Sequence, residues 1–369
     1  MNNLKMFEDN YHSPEEKKIA KISKNGYHLL KENRITDAID CFTKILLLDE
    51  NNNYALVGLG DAARKTGSVR EAAKYYQRCL THHPGNNYAL FGLADCYRTM
   101  NQFQKAIELW EQYLHYDDKN ITVLTRIADS YRKVKNFTSS KNIYHRVLEI
   151  DENNAYAIIG LGHLYYDFKD YKESLFYLEK MMKNGFDNAD IRVLTSIGNC
   201  HRKLKTFSEG ISFFEAALKR ENNNFYALFG LADCYRGLNR TDTAIEYCLR
   251  ILEIDPKNKM ILTRIGDAYR NSENFEIAKN YYEKALNIEF DTYAILGLSL
   301  ISKAQGKYDE AISSLKKLIQ QDIRNYRLYL ELSDCYQKNG ERRKAAEILE
   351  DFQKLGIKNQ KISEMLENI

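Results

Sequence analysis

The sequence is poor in proline and contains no long apolar run. Only 3 prolines occur in 369 residues, so few positions forbid a continuous helix. No stretch of 18 apolar residues exists, and we therefore expect no direct insertion into a membrane. Residues 1–18 lack the apolar core of a secretory signal peptide. Since the chain also has no disulfide-scaffold spacing, we expect a cytoplasmic protein.

An excess of charge of one sign is also missing. The chain has 54 basic and 51 acidic residues, which leaves a net charge of +3. Because the basic residues are spread along the chain rather than gathered in one stripe, the sequence predicts no nucleic-acid partner. The seven cysteines show no disulfide-scaffold spacing, and we interpret four of them as small packing residues in a reducing compartment: Cys96, Cys200, Cys234 and Cys335.

The sequence contains no catalytic or metal-binding motif. A phosphate-binding glycine loop and a Gly-x-Ser-x-Gly elbow are both absent. His82 and His83 are adjacent, but no second pair follows at a spacing suited to metal ligation. The sequence therefore predicts no enzyme, no catalytic residue, no cofactor and no metal.

What the chain does contain is a repeat of about 34 residues. In residues 87–120, small and apolar side chains at helical spacing predict two helices, separated at Asn101 by a left-handed turn. One such helix pair cannot bury its apolar face alone, but stacked neighbours can. The small residue of the first helix recurs in ten copies: Gly26, Gly60, Ala94, Ala128, Gly162, Gly198, Ala232, Gly266, Ser299 and Ser333.

These copies resemble the tetratricopeptide repeat (TPR) family. Residues 225–258 show the family pattern as Leu228, Leu231, Ala232, Tyr235, Ala244, Cys248 and Pro256. The resemblance implies an all-α, right-handed superhelix of helix pairs, with the first helices lining a concave groove. At the place of the closing proline other copies have Asp118, Glu152 and Asn222, which we expect to cap the following helix.

The repeat period defines the domain organisation. We predict an N-terminal extension (1–18), a C-terminal capping helix (360–369) with its apolar face at Ile362, Met365, Leu366 and Ile369, and ten repeats: 19–52, 53–86, 87–120, 121–154, 155–190, 191–224, 225–258, 259–291, 292–325 and 326–359. Two extra residues lie within 183–188, between the fifth and sixth repeats. They are either a tolerated loop insertion or a hinge that divides the array.

A longer repeat of 138 residues overlies the short one. Residues 91–98 recur almost unchanged as 229–236, and residues 124–127 recur as 262–265. Repeats three to five therefore look duplicated as repeats seven to nine. Tandem duplication explains this without any function, but it predicts two similar surfaces.

The first helices carry aromatic residues and glycines at regular places. Tyrosines begin five of them: Tyr54, Tyr88, Tyr156, Tyr226 and Tyr293. One turn later an apolar residue such as Phe91 or Phe229 is followed by a glycine, at Gly58, Gly92, Gly160, Gly230 and Gly297. Glycine inside a helix costs about 1 kcal/mol relative to alanine. Either close helix packing or room for a ligand backbone explains why glycine occupies this place in five repeats despite its cost.

A ladder of Asp/Arg pairs spaced three residues apart follows the glycines: Asp61/Arg64, Asp95/Arg98, Asp129/Arg132, Asp233/Arg236 and Asp267/Arg270, with Arg126 and Arg264 added. Each pair contributes only about 0.2–0.5 kcal/mol to its helix. The ladder is either a self-neutralised solvated face or a binding surface. Our predicted partner-binding residues are Tyr88, Phe91, Asp95, Arg98, Arg126, Asp129, Arg132, Tyr226, Phe229, Asp233, Arg236, Arg264, Asp267 and Arg270.

The sequence thus predicts a non-enzymatic scaffold or adaptor that binds a peptide or helix of a protein partner in the groove. Chaperone-binding members of the family hold a C-terminal carboxylate with an asparagine, but aspartates such as Asp95 and Asp233 stand at that place here. Since an aspartate repels a carboxylate, we expect instead a ligand of mixed charge or one with aromatic anchors.

The sequence leaves two alternative functions open. The resemblance also allows a structural subunit of a bacterial secretion, motility or envelope assembly that uses its convex face or its ends. Self-association of the array would favour this alternative. The other alternative is a regulatory subunit of an enzyme.

Overall fold

A computed structural model describes residues 13–182 and 189–369, and every regular element in these ranges is helical. The predicted all-α fold of tandem helix pairs is therefore confirmed. The chain divides into two units, residues 1–184 and 185–369. The division falls within the predicted insertion, and a hinge at 183–188 lies outside the described residues.

The helices alternate between the first and second members of each pair. Unit 1 contains α1 (Pro14–Lys31), α2 (Ile35–Leu46), α3 (Asn53–Lys65), α4 (Val69–His82), α5 (Asn87–Thr99), α6 (Phe103–Tyr113), α7 (Ile121–Lys133), α8 (Phe137–Ile150), α9 (Ala155–Asp167), α10 (Tyr171–Glu179) and a 3₁₀ turn (Lys180–Met182). Unit 2 contains α11 (Ile191–Leu204), α12 (Phe207–Arg220), α13 (Phe225–Gly237), α14 (Thr241–Ile254), α15 (Lys259–Asn271), α16 (Phe275–Leu286), α17 (Thr292–Ala304), α18 (Tyr308–Gln321), α19 (Tyr326–Lys338), α20 (Arg342–Lys354) and α21 (Gln360–Glu367).

A left-handed residue separates the two helices of every pair. The predicted turn at Asn101 is confirmed, with φ of 59°, and the amide of Gln102 donates to the carbonyl of Tyr97. The same conformation recurs once in each of the ten pairs, at Asn33, Gly67, Asn101, Lys135, Lys169, Lys205, Asn239, Glu273, Gly306 and Gly340. This repeated turn closes the first helix in the same way along the chain and so sets the direction of the second.

Asparagines begin most of the first helices. The side chains of Asn120, Asn154 and Asn224 each accept a hydrogen bond from a backbone amide in the following first turn. The expectation that Asp118, Glu152 and Asn222 would cap was wrong by two positions, because the chain needs two more residues to turn into the next helix. Each such cap contributes about 1 kcal/mol to its helix.

The repeated glycines receive aromatic rings from the preceding second helix. A Cβ added to Gly92 would lie 2.4 Å from the Tyr76 ring, and one added to Gly60 would lie 2.6 Å from the same ring. Tyr76 is thus held between α3 and α5. The other four repeated glycines face rings in the same way, with added-Cβ distances of 2.2–2.4 Å: Gly58 on Phe42, Gly160 on Tyr144, Gly230 on Phe214 and Gly297 on Tyr282. Close packing therefore explains these glycines, and the space beside them is filled by side chains of the protein itself.

The glycines also mark where consecutive first helices approach each other. The five close junctions are α1–α3, α3–α5, α7–α9, α11–α13 and α15–α17, and each has one of the five glycines on its later helix. At α5–α7 and α13–α15 the glycine is replaced by Arg126 and Arg264, and these helices are further apart. Among the described residues of each unit, consecutive second helices never approach as closely as the five glycine junctions do. Within each unit the first helices therefore form the inner, concave layer.

The C-terminal helix α21 covers the end of the array. It packs against α19 and α20 with Ile362, which is 1% exposed and contacts the cluster of Tyr329, Leu349 and Phe352. Met365, Leu366 and Ile369 lie against the same cluster, as predicted from their helical spacing. The apolar end of the last helix pair is thereby removed from water, as an open stack requires.

Candidate functional site

Asp95 lies at the centre of a cluster of three arginines on the inner face of unit 1. Its carboxylate is 2.8 Å from Arg64 Nη2 on the preceding first helix and also pairs with Arg126 on the following one. Arg98, on its own helix, is 3.8 Å away. The side chain of Asp95 is only 4% exposed, so the cluster joins α3, α5 and α7 through one buried charge.

Asp233 repeats this arrangement in unit 2. Its oxygens lie 2.7 Å from Arg202, 2.5 Å from Arg264 and 3.1 Å from Arg236. Burial alone would raise the pKa of Asp233, but the charge and hydrogen bond of Arg264 and the charges of the other two arginines outweigh it. The pKa of this carboxyl therefore lies below its usual value, and it remains ionised.

The other two predicted aspartates face a tyrosine of the second helix instead. Tyr144 donates to Asp129 at 2.5 Å, and Tyr282 donates to Asp267 at 2.8 Å. Burial first, and then the neighbouring carboxylate, raises the pKa of each tyrosine hydroxyl, which keeps it protonated as a donor. These aspartates are about half exposed and hold the first helix of a pair to the second.

The polar ladder is thus bonded mainly between helices rather than along them. The intrahelical Arg132–Asp129 distance is 3.8 Å, whereas Arg132 reaches Asp167 on the next first helix at 2.9 Å. Arg270 keeps its intrahelical partner Asp267 at 3.5 Å. Asp95 and Asp233 are buried among arginines, so the repulsion of a carboxylate ligand that we expect from the sequence does not apply to these two aspartates.

The two units differ in the charge of this ladder. In unit 1 four arginines (Arg64, Arg98, Arg126, Arg132) face four aspartates (Asp61, Asp95, Asp129, Asp167). In unit 2 the four equivalent arginines (Arg202, Arg236, Arg264, Arg270) face only Asp233 and Asp267, because Asn199 and Gln305 replace the other two. The inner face of unit 2 therefore carries two more positive than negative charges at these places.

The predicted aromatic residues fall into two groups. Tyr226 on α13 is 68% exposed and Tyr293 on α17 is 73% exposed, while Tyr88 is half-buried. Phe91 and Phe229 lie beneath the guanidinium groups of Arg126 and Arg264, at 4.6 and 4.4 Å from ring centre to Cζ. The tyrosines of unit 2 are thus accessible to a partner, whereas the two phenylalanines support the arginines.

A cavity of about 740 Å³ lies beside the Asp233 cluster, and the sequence analysis did not predict it. Its floor is formed by Ala244, Ile245 and Cys248 of α14, and its walls include Arg236, Arg264, Met260 and Tyr293. A signal for it was present in the 138-residue repeat, because Cys248 stands where the first copy has Trp110. The cavity and the arginine cluster together form the candidate binding site of unit 2.

Comparison with known proteins identifies the repeat. Family models described as tetratricopeptide repeat match residues 63–125, 202–263 and 303–354, residues 24–86, and residues 121–154 and 261–292. The chain therefore belongs to the tetratricopeptide repeat family. No curated protein matches it significantly.

Several solved structures are similar to the chain at low sequence identity. A crystal structure of MamA is 23% identical over 44% of this chain and 94% of that chain, with a TM-score of 0.41. A crystal structure of yeast Tom70 is 13% identical over 95% of this chain and 94% of that chain, with a TM-score of 0.49. A tetratricopeptide repeat protein from Parabacteroides merdae is 14% identical over 86% of this chain and 99% of that chain, with a TM-score of 0.42. None of these similarities transfers a function.

Membership of the family supports a protein-interaction scaffold in general terms, since such repeats are generally non-catalytic interaction modules. Within residues 13–182 and 189–369, no helix is both long and apolar enough to cross a membrane.

Proposed function

We propose that the chain is a non-enzymatic scaffold that binds a segment of a protein partner on the inner face of unit 2. The segment carries carboxylates that contact the arginines around Asp233, and apolar or aromatic groups that contact Tyr226 and Tyr293. The equivalent face of unit 1, with Tyr88, Asp95, Arg98 and Asp129, offers a second contact surface without net charge.

The observation that carries this proposal is the positive excess around Asp233. Three arginines share one buried carboxylate, and the side chain of Arg236 remains 69% exposed. Arginine binds carboxylates through two parallel hydrogen bonds, so an exposed guanidinium held in place by its neighbours is suited to an acidic segment. Two exposed tyrosines on the same layer supply rigid apolar area at low entropic cost.

The test compares partner capture by surface variants of the full-length chain. Proteins captured by the wild type from its native cells are identified by mass spectrometry, and each is then produced and titrated against purified variants. We expect Arg236→Gln combined with Tyr226→Ala to weaken binding of the true partner at least about tenfold, because each lost contact is worth about 1 kcal/mol or more.

Phe176→Ala provides a matched control, because this aromatic residue is 54% exposed on the second helix α10. We expect it to leave the affinity within about twofold. A partner that binds the Arg236/Tyr226 variant as well as the wild type but loses affinity with the control would contradict the proposal and favour the convex face. Higher ionic strength should weaken the proposed complex, since its charges are partly exposed.

A further inference from the structure

Trp110 and Cys248 occupy the same place in the two copies of the 138-residue repeat, but they fill it very differently. The Trp110 indole is fully buried among Leu90, Ile107 and Ile127. The residues equivalent to these three are Leu228, Ile245 and Ile265, while elsewhere in the cluster Ile251 replaces Tyr113 and Ile261 replaces Val123, so the surroundings of Cys248 remain apolar. Ile245 and Ile265 line the cavity together with Cys248, so the place that the indole fills in unit 1 adjoins an open space in unit 2.

The solvent exposure of the second helix records this difference. Ala106, Ile107 and Trp110 of α6 are all 0% exposed, whereas Ala244, Ile245 and Cys248 of α14 are 6–7% exposed. At α13–α15, as at α5–α7, an arginine replaces the glycine that brings other first helices together, and in unit 2 the space between these helices and α14 is not filled by a tryptophan. The cavity of about 740 Å³ therefore reaches from the inner face down to the second helix.

The rim of this cavity is charged while its floor is apolar. Arg236, Arg264 and Arg270 line it together with Lys259, which pairs with Glu289 at 3.0 Å. Of the carboxylates on the rim, Asp233 is enclosed by arginines, Asp267 pairs with Arg270, and Asp291 caps α17 through the amides of Tyr293 and Ala294. The positive excess thus lies at the Asp233 side of the opening.

We propose that this cavity receives a large aromatic side chain, above all tryptophan, from a partner segment whose neighbouring residues are acidic. The protein's own Trp110 shows that these walls accommodate an indole. The arginines at the rim favour carboxylates on either side of the inserted residue. This inference deepens the proposed function and rests on it, because it assigns the chemistry of the partner at the same site.

The probe is the tripeptide acetyl-Glu-Trp-Asp-amide with 5-fluorotryptophan, titrated with the full-length protein and followed by ¹⁹F NMR. We expect a saturable shift of the fluorine signal. Unlabelled acetyl-Glu-Trp-Asp-amide should displace the probe at a concentration at least about tenfold lower than acetyl-Glu-Ala-Asp-amide, since burial of an aromatic side chain favours binding by about that factor. The neutral peptide acetyl-Gln-Trp-Asn-amide should bind more weakly, and its binding should depend less on salt.

Two variants test whether the probe enters this cavity. Cys248→Trp supplies the indole of the first copy and should abolish the shift, whereas Cys248→Ser leaves the space and should keep the affinity within about threefold. Circular dichroism checks that the tryptophan variant is folded. If it is not, Ala244→Leu, which fills the floor from a neighbouring position, takes its place with the same expected loss.

The outcomes separate this inference from the proposed function. No saturable shift with the wild type, or an equal shift with a folded cavity-filling variant, overturns the aromatic pocket, while partner capture that still depends on Tyr226 and Arg236 keeps the proposed function. Probe binding that Cys248→Trp abolishes supports the pocket. If partner capture is at the same time indifferent to Tyr226 and Arg236, the proposed function fails alone.

Discussion

Substitution of Gly92 by alanine tests the packing of rings between the first helices. The new Cβ would lie 2.4 Å from Cζ and 2.6 Å from Cε1 of Tyr76, about 1 Å inside normal carbon contact of about 3.5 Å. The ring is 0% exposed and is also in contact with Gly60, so it has little room to withdraw. We estimate the overpacking cost at about 3 kcal/mol. Alanine returns about 1 kcal/mol of helix propensity, which leaves a net loss of about 2 kcal/mol.

Hydrogen exchange of the amides of α5, followed by mass spectrometry, measures this loss locally. A cost of about 2 kcal/mol corresponds to roughly 30-fold faster exchange where exchange reports the opening equilibrium. If Gly92 instead leaves room for a ligand backbone in an open groove, alanine would stabilise the helix by about 1 kcal/mol and slow exchange about fivefold. Unchanged or slower exchange in Gly92→Ala would therefore refute the packing argument.

A double variant provides the control for this experiment. Tyr76→Leu removes the ring and is itself destabilising, but it makes space for the new Cβ. In that background Gly92→Ala should be neutral or stabilising, so the two substitutions should couple by about 2 kcal/mol or more. Additive effects would show that the cost of alanine arises somewhere other than the ring.

Three further predictions follow from other parts of the molecule. Glu273 has a left-handed φ of 60°, which glycine adopts more easily, so Glu273→Gly should raise the urea midpoint by the equivalent of about 0.5–1 kcal/mol. Gly306→Ala places a side chain at φ of 77° and should lower the midpoint by the equivalent of about 1 kcal/mol. A midpoint that neither variant changes would contradict the left-handed turns. Asp233→Asn should cost about 2 kcal/mol at pH 7 and Asp267→Asn, which is about half exposed, less than about 1 kcal/mol. The pKa of Asp233 is lower in the folded chain than in the unfolded chain, so its ionised carboxylate contributes to the free energy of unfolding above the unfolded pKa near 4. This contribution is lost as the pH falls through the pKa of the folded chain. The urea midpoints of the wild type and Asp233→Asn should therefore converge in acid. Burial raises the pKa of four thiols to about 11, so in native protein at pH 7.5 a thiol reagent should modify Cys41 first and leave these four slow until urea is added: Cys79, Cys96, Cys234 and Cys335.

Much of the fold follows from the sequence because its determinants are local or strictly periodic. The spacing of small residues defines the ten helix pairs, and Asn101 and the apolar face of Ile362 are visible within a few residues of sequence. The partners of the charges are different. Arg64 bonds to Asp95, 31 residues away, although Asp61 stands three residues before it. Which aspartate an arginine reaches depends on how the helices stack.

That spacing nevertheless has a simple origin. A step of one repeat forward and three residues back gives 31 residues, and it relates Arg64 to Asp95, Asp95 to Arg126, Arg202 to Asp233 and Asp233 to Arg264. The charge excess of unit 2 is present in the sequence as Asn199 and Gln305. The cavity could not be derived in the same way, because a cysteine in place of Trp110 predicts a space only once its neighbours are known to keep their positions.

The pairing of rings with glycines has a consequence for how such an array can grow or shrink. Each ring belongs to one repeat and its glycine to the next, so the unit that must be kept intact spans a repeat border. Loss of residues 53–86 would bring Phe42 against Gly92 and preserve a ring with its slot. Loss of residues 87–120 would bring Tyr76 against Arg126, at a border where the native chain has the larger Trp110 and a wider spacing of the first helices. A single repeat can therefore be lost where the ring and the glycine that are brought together still fit, and not where they do not. This requirement limits the array lengths that recombination can produce.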